Sequence, residues 1–421
     1  MKEFMYGKTK VKVYGGLNTV GGNCIVVESP STKVMLDQGV NFAQLEKFYG
    51  FTIQPESVAE LREIGALPPP SAYEDVEAIL ISHLHLDHLG SLNLPQNIPL
   101  YLPSREVVEQ LSRTWWFGWK QHLFPPTLSF TGFVNIDECE DIESARVSHS
   151  AFPSYAFRIE TDDASILYTG DFRLESPCPS LVNTLGSLEK LAEDGVDVLI
   201  IEGTNFGRRM NYLAPEQFEV LVRKLLEQYG QNLLFISAHP LDLEVAIKLL
   251  ELLWEQNYTP VFENPYYAKL LDVQMNIIEY QVGDRPLYFA PLRTSRLRLL
   301  DNFETANLAE LKDRKTAFFI PLTGIKDMRA VLKLLGEDSS GLLHITVLGE
   351  PLSEEWVVEE KKISNWLRLL GMASLRLHLS GHYYPYEFKE ILDATKPRKI
   401  IPVHTKAPSA LVKLFKKYFS L

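Results

Sequence analysis

The run His83-Leu84-His85-Leu86-Asp87-His88 constrains this chain more than any other stretch, because it places four metal-ligating side chains in six positions. The segment ahead of it, Val76-Glu77-Ala78-Ile79-Leu80-Ile81-Ser82, is apolar and β-prone towards its end. A buried strand stopping at Ser82 leaves the cluster on the turn where the chain exits a sheet. His83 and His85 are two apart, so an extended backbone puts both on one face. Asp87 and His88 follow in the turn, where they can point at a second metal. Neutral imidazole and carboxylate are common ligands for zinc, and for manganese or iron in related sites. With ten histidines in 421 residues, three within six positions make a chance surface cluster a poor explanation. The run predicts a binuclear metal site.

Further ligands are expected from strand ends elsewhere. His149 follows the short strand Ala145-Arg146-Val147-Ser148, and Asp171 closes Leu167-Tyr168-Thr169-Gly170-Asp171. His404 follows Lys399-Ile400-Ile401-Pro402-Val403. Each alone reads as an ordinary loop residue; their order after the cluster makes them ligand candidates. Asp37 ends a further strand, Val34-Met35-Leu36, and locally reads equally well as a turn acid.

At 421 residues the chain is long for one core, so two domains are expected. A net charge of -12 argues against a general polyanion binder, so nucleic-acid contact would rely on local Lys/Arg placement or bound cations. Arg208, Arg209, Arg293, Arg296 and Lys326 are candidates to line a groove between the expected domains, though each singly reads as solvated surface. Cys24, Cys139 and Cys178 are scattered, with no disulfide framework or CxxC spacing. No signal-peptide core or apolar run of membrane-spanning length is present, so a soluble cytoplasmic protein is expected.

The first two hundred residues read as short strands and tight turns. Val196-Asp197-Val198-Leu199-Ile200-Ile201 is apolar enough for a strand buried on both faces. After Glu202 helical periodicity brackets the strands Leu233-Leu234-Phe235-Ile236 and Ala317-Phe318-Phe319-Ile320, which suggests a separate α/β domain with a parallel sheet. Near Leu375 short strands and histidines return, as for one domain interrupted by another. Trp115-Trp116-Phe117-Gly118-Trp119 suits packing in a core or under a loop better than stacking on bases.

His83-x-His85-x-Asp87-His88, with His149 and Asp171 downstream, resembles the signature of the metallo-β-lactamase fold, and Asp37 resembles its first motif. Glu202-Gly203-Thr204-Asn205, His378-Leu379-Ser380-Gly381-His382 and Pro402-Val403-His404-Thr405 resemble the three additional motifs of the β-CASP nucleases. The His-x-Ser-Gly-His run points to the archaeal-type ribonuclease J side of that family. The resemblance implies an α/β fold: a metallo-β-lactamase αββα sandwich over 1–205 and 371–421, with a β-CASP α/β domain inserted at 206–370. It implies two divalent ions, zinc or else manganese. His83, His85 and His149 would hold one, Asp87, His88 and His404 the other, and Asp171 would bridge them. Asp37 would support the ligands without touching metal. Asp87, His382 and Glu202 would be catalytic, with His382 paired to Glu202, and His378 and Ser380 would contact phosphate. Ribonuclease J usually follows the last ligand histidine with Gly-Glu, where Thr405-Lys406 stand here.

The implied function is a metal-dependent ribonuclease with exonuclease or endonuclease action, RNA as substrate, no membrane partner and a homodimer as the candidate assembly. Two alternatives are a DNA nuclease of the same family, acting on single-stranded DNA, and a non-catalytic RNA-processing subunit. The intact ligand set argues against the last.

Overall fold

The computed structural model describes residues 1–50, 52–114, 118–124, 132–139, 142–207, 212–283, 285–292, 300–349 and 354–419. Trp115, Trp116, Phe117, Arg208, Arg209, Arg293 and Arg296 lie outside the described residues. Lys326 is exposed. Trp119 packs, partly buried, against a cluster of Val40, Leu45, Val58, Leu61, Ala66, Leu67 and Leu123. The fold is mixed α/β and divides into two compact units. One comprises Met1–Leu174, Val182–Met210 and His382–Leu421; the other Glu175–Leu181 and Asn211–Gly381.

The first unit stacks two sheets. A seven-stranded sheet runs from Lys2–Tyr6 through Thr9–Gly15, Cys24–Glu28, Lys33–Leu36, Ala78–Leu80 and Leu100–Leu102 to Phe133–Asn135. Its first four strands pair antiparallel and the later ones parallel. A five-stranded sheet has the order Pro397–Val403, Val196–Glu202, Ser165–Tyr168, Ser154–Glu160, Glu143–Val147. Side-chain alternation explains why Val196–Glu202 carries apolar residues on both its faces. Val198 and Ile200 join Val11, Val13, Ile25 and Leu80 between the sheets. Leu199 and Ile201 point the other way, into Leu188, Leu191, Phe388, Ile391 and Leu411 of three covering helices.

The second unit holds a seven-stranded, all-parallel sheet in the order Glu304–Thr305, Tyr288–Phe289, Thr259–Phe262, Thr316–Phe319, Leu233–Ser237, Leu343–Leu348, Ala373–His378. Phe235, Val261 and Phe318 pack on Met328, Val331 and Leu332 of the helix Ile325–Leu335. Ala373–His378 pairs along its whole length with Leu343–Leu348, so this unit runs on to Gly381, past the changeover expected at residue 370. Among the described residues, no helix is long and apolar enough to cross a membrane.

A buried polar group lies within this parallel sheet. His344 is 1% exposed, with Nε2 3.0 Å from Ser237 Oγ and Nδ1 3.4 Å from Thr346 Oγ1. Burial pulls its pKa from 6.5 down to about 4. The neutral ring is therefore favoured in the fold, while the unfolded chain takes up a proton first as pH falls. Stability from this group is full above pH 6.5 and is lost progressively on acidification towards pH 4. Between pH 7 and pH 5 the loss should be about 2 kcal/mol. His344→Gln keeps a group able to meet Ser237 but removes the titration. Urea denaturation should show the variant losing less stability over that interval than the wild type; equal losses would exclude His344 as the source.

Candidate metal centre

Strand ends of the first unit build the site. The chain leaves Ala78–Leu80 through Ser82 and His83, and His85, itself extended, caps the short helix Leu86–Leu89. That turn brings Asp87 and His88 round to the same side as His83. The short helix is held from below by backbone bonds: Gln38 N donates to His88 O at 2.9 Å, and Asn23 N to Asp87 O at 3.0 Å. A β-carbon on Gly39 would lie 1.6 Å from Asp87 O, and one on Gly21, whose φ is +83°, would lie 2.8 Å from Asp87 Oδ2. Only glycine permits these approaches.

The structure brings the seven expected ligands together in overlapping groups whose ligand atoms lie within 4.8 Å of one another. One group is His83, His85 and His149; a second is Asp87, His88 and His404; a third is His83, His88 and Asp171. Asp171 also meets Glu202, His382 and His404 in a fourth. His149 Nε2 lies 3.2 Å from His85 Nδ1, and His404 Nε2 3.1 Å from Asp87 Oδ2. Asp171 Oδ2 lies 3.1 Å from His88 Nε2 and 3.4 Å from His404 Nε2. Every one of these side chains is buried except those of His85 and Asp87, which are half-buried.

Electrostatics sort the groups. Burial, then the neighbouring imidazoles, hold His83 well below the usual histidine value, which leaves it neutral. Burial also opposes charge on His88, but the Asp171 and Asp37 carboxylates outweigh it and raise its pKa. Burial opposes ionisation of Asp171 as well, and there His404 and His88 win, holding the carboxyl below the usual carboxylate range. Two nearby carboxylates offset the crowding of imidazoles.

Asp37 sits beneath the centre, fully buried, with φ +57°. It accepts hydrogen bonds from Ser82 N at 2.7 Å, Ser82 Oγ at 2.8 Å, His88 Nδ1 at 2.7 Å and the Tyr168 hydroxyl. Burial, with Asp37 beside it, pushes the Tyr168 phenol well above its ordinary value, so it remains a donor; Asn23 Nδ2 donates to it at 3.1 Å. Glu202 Oε1 lies 3.1 Å from His382 Nδ1, and its Oε2 accepts from Thr204 N at 2.7 Å. Asn205 Nδ2 donates to the carbonyls of His382 and Tyr383 at 3.2 and 3.0 Å.

His378 and Ser380 belong to the second unit. His378 ends Ala373–His378 with its ring edge-on to Tyr212, centroids 4.2 Å apart, and Ser380 is buried. Ser82, Tyr168, Asn23, Thr204 and Asn205 were not singled out in the sequence as supporting residues. Ser82 is adjacent to His83, Tyr168 is three residues ahead of Asp171 on the inward parity of its strand, and Thr204 and Asn205 follow Glu202 in its motif.

Residues 55–228 match the family model of the β-lactamase superfamily domain. Ribonuclease J of Pyrococcus abyssi is 22% identical over 416 residues, spanning 94% of this chain and 89% of that protein. Ribonuclease J of Methanocaldococcus jannaschii is 22% identical over 426 residues, spanning 94% and 91%. A crystal structure of a protein of unknown function from Enterococcus faecalis V583 superposes with a TM-score of 0.71 at 19% identity, covering 96% of this chain and 95% of its own, and so shares the fold. The chain is a metallo-β-lactamase-fold protein with a second α/β unit in the middle of its sequence. Its sequence is similar to ribonuclease J along nearly the whole length of both relatives. The domain and the clustered His and Asp side chains make the centre a divalent-metal site.

Proposed function

We propose that the protein hydrolyses RNA phosphodiester bonds using two divalent ions, zinc in the first instance and manganese as the alternative. The observation that carries this reading is the convergence of two three-ligand groups beside one carboxylate, Asp171. His83, His85 and His149 hold one ion in this reading, Asp87, His88 and His404 the other, and Asp171 spans both. The donor set fits such ions. His83 Nε2 and Asp171 Oδ1 are buried without a hydrogen-bond partner among the described residues, a costly state for polar atoms unless they serve as ligands. The relatives named ribonuclease J supply the substrate class.

Bound divalent ions supply water activation and positive charge for the phosphoryl oxygens, which also answers the acidity of the chain as a whole. The chain's own residues do the positioning. Glu202 orients His382 through Nδ1, leaving Nε2 to face the scissile phosphate or to protonate the leaving oxygen. His378 and Ser380 are assigned to phosphate contacts. We further propose a cytoplasmic location and a homodimer as the candidate assembly, the latter checked by sedimentation of the purified protein.

Metal-replete protein should cleave end-labelled RNA in preference to matched single-stranded DNA, and Asp87→Ala should lower the rate by roughly a thousandfold or more. Mononucleotide release would mark exonuclease action, and discrete internal products endonuclease action. Comparing 5′-triphosphate, 5′-monophosphate and 5′-hydroxyl substrates reads the end requirement in the same assay. Failure of metal-replete protein to cut either RNA or DNA would end the nuclease reading.

A further inference from the structure

We propose that Thr204 is the positioning residue for His404, fixing its ring so that Nε2 faces the metal position shared with Asp87 and His88. The proposal rests on the binuclear reading above. His404 lies one residue past the parallel strand Pro397–Val403, in the left-handed backbone region with φ +50°. A residue with a β-carbon costs on the order of 1 kcal/mol or more there, so surrounding contacts must hold it. Two hydrogen bonds do so at the backbone: His404 N donates to Gly16 O at 2.7 Å, and the Thr204 hydroxyl donates to His404 O at 3.3 Å. The same hydroxyl oxygen lies 2.7 Å from His404 Nδ1. Both residues are at most 2% exposed, so water does not compete for these atoms.

The chemistry of a hydroxyl then sets the ring. It has one proton and two lone pairs. With its proton on the His404 carbonyl, Oγ1 is left as an acceptor, so Nδ1 carries the ring proton and Nε2 presents a lone pair. That nitrogen is 3.1 Å from Asp87 Oδ2 and 3.4 Å from Asp171 Oδ2, inside the ligand group. His88 of the same group is backed by a carboxylate, Asp37, at 2.7 Å. A carboxylate raises ligand basicity more than a neutral hydroxyl does, so His404 depends more on being held in place. The pairing of Glu202 with Val403 brings Thr204 alongside His404. Gly203, just ahead of Thr204, allows this close approach: a β-carbon there would lie 2.8 Å from Leu411 Cδ1 and 3.1 Å from Thr405 Cβ.

The test is a Co2+ titration of metal-stripped, full-length protein, followed by visible absorbance and calorimetry, on wild type, Thr204→Val and Thr204→Ser. Wild type should bind two Co2+. Valine keeps the shape and removes the hydroxyl, and should weaken one of the two binding events by about 10–100-fold while leaving the other unchanged. Serine should restore both. Should valine prevent folding, Thr204→Ala provides the same comparison. Wild type that binds fewer than two Co2+ would defeat the binuclear reading itself. Wild type that binds two, with a valine or alanine variant that binds both as tightly, would overturn the role of Thr204; so would a serine variant as impaired as valine.

Discussion

Asp171→Asn should cost the protein at least one of the two metal ions proposed for it and lower RNA cleavage by roughly a thousandfold or more. The substitution keeps shape and removes charge from a carboxylate that groups with His83 and His88 on one side and with His404 and His382 on the other. Asp171 Oδ2 faces His88 Nε2 at 3.1 Å, His404 Nε2 at 3.4 Å and His382 Nδ1 at 3.9 Å. A neutral amide cannot offset the positive charge of two ions in so buried a place, and its NH2 presents protons where a lone pair is needed. Metal content after equilibrium dialysis and cleavage of labelled RNA read the two effects separately. Full metal content together with activity within tenfold of wild type would remove Asp171 from the centre of the site.

Asp37→Asn should lower the stability of the metal-free protein by about 3–5 kcal/mol. The carboxylate accepts from Ser82 N, Ser82 Oγ, His88 Nδ1 and Tyr168, with no exposed surface. Asparagine tolerates the left-handed backbone at this position, so the variant isolates the hydrogen bonds from the effect of φ +57°. One of its two terminal atoms becomes a donor facing donors, and at least one buried partner is stranded. Chemical denaturation of metal-stripped wild type and variant measures the difference. A loss below about 1 kcal/mol would mean that the network rearranges around asparagine, contrary to the close packing seen here.

The ligand run was legible because one stretch of sequence carries both a strand ending and four donors. His149, Asp171 and His404 were harder, since each is a single residue, but each ends a recognisable strand and their order matched a known pattern. Asp37 apart, the supports were not legible. Thr204 and His404, or Asn23 and Tyr168, are paired across more than a hundred residues, and no local periodicity encodes which hydroxyl or amide will reach which ring. The late strand Ala373–His378 shows the same limit at the level of the fold. Its alternation suits a sheet edge in either unit, and pairing with Leu343–Leu348 is what assigns it to the second unit.

The strand Pro397–Val403 is the edge of its sheet and pairs in parallel with Val196–Glu202. A growing chain can gather His83, His85 and His149 early, but His404 arrives only when this closing strand has left the ribosome and docked. Synthesis order thus acts as a safety catch. An enzyme proposed to cut RNA would lack its full ligand set until His404 had been added to the chain and its strand had docked.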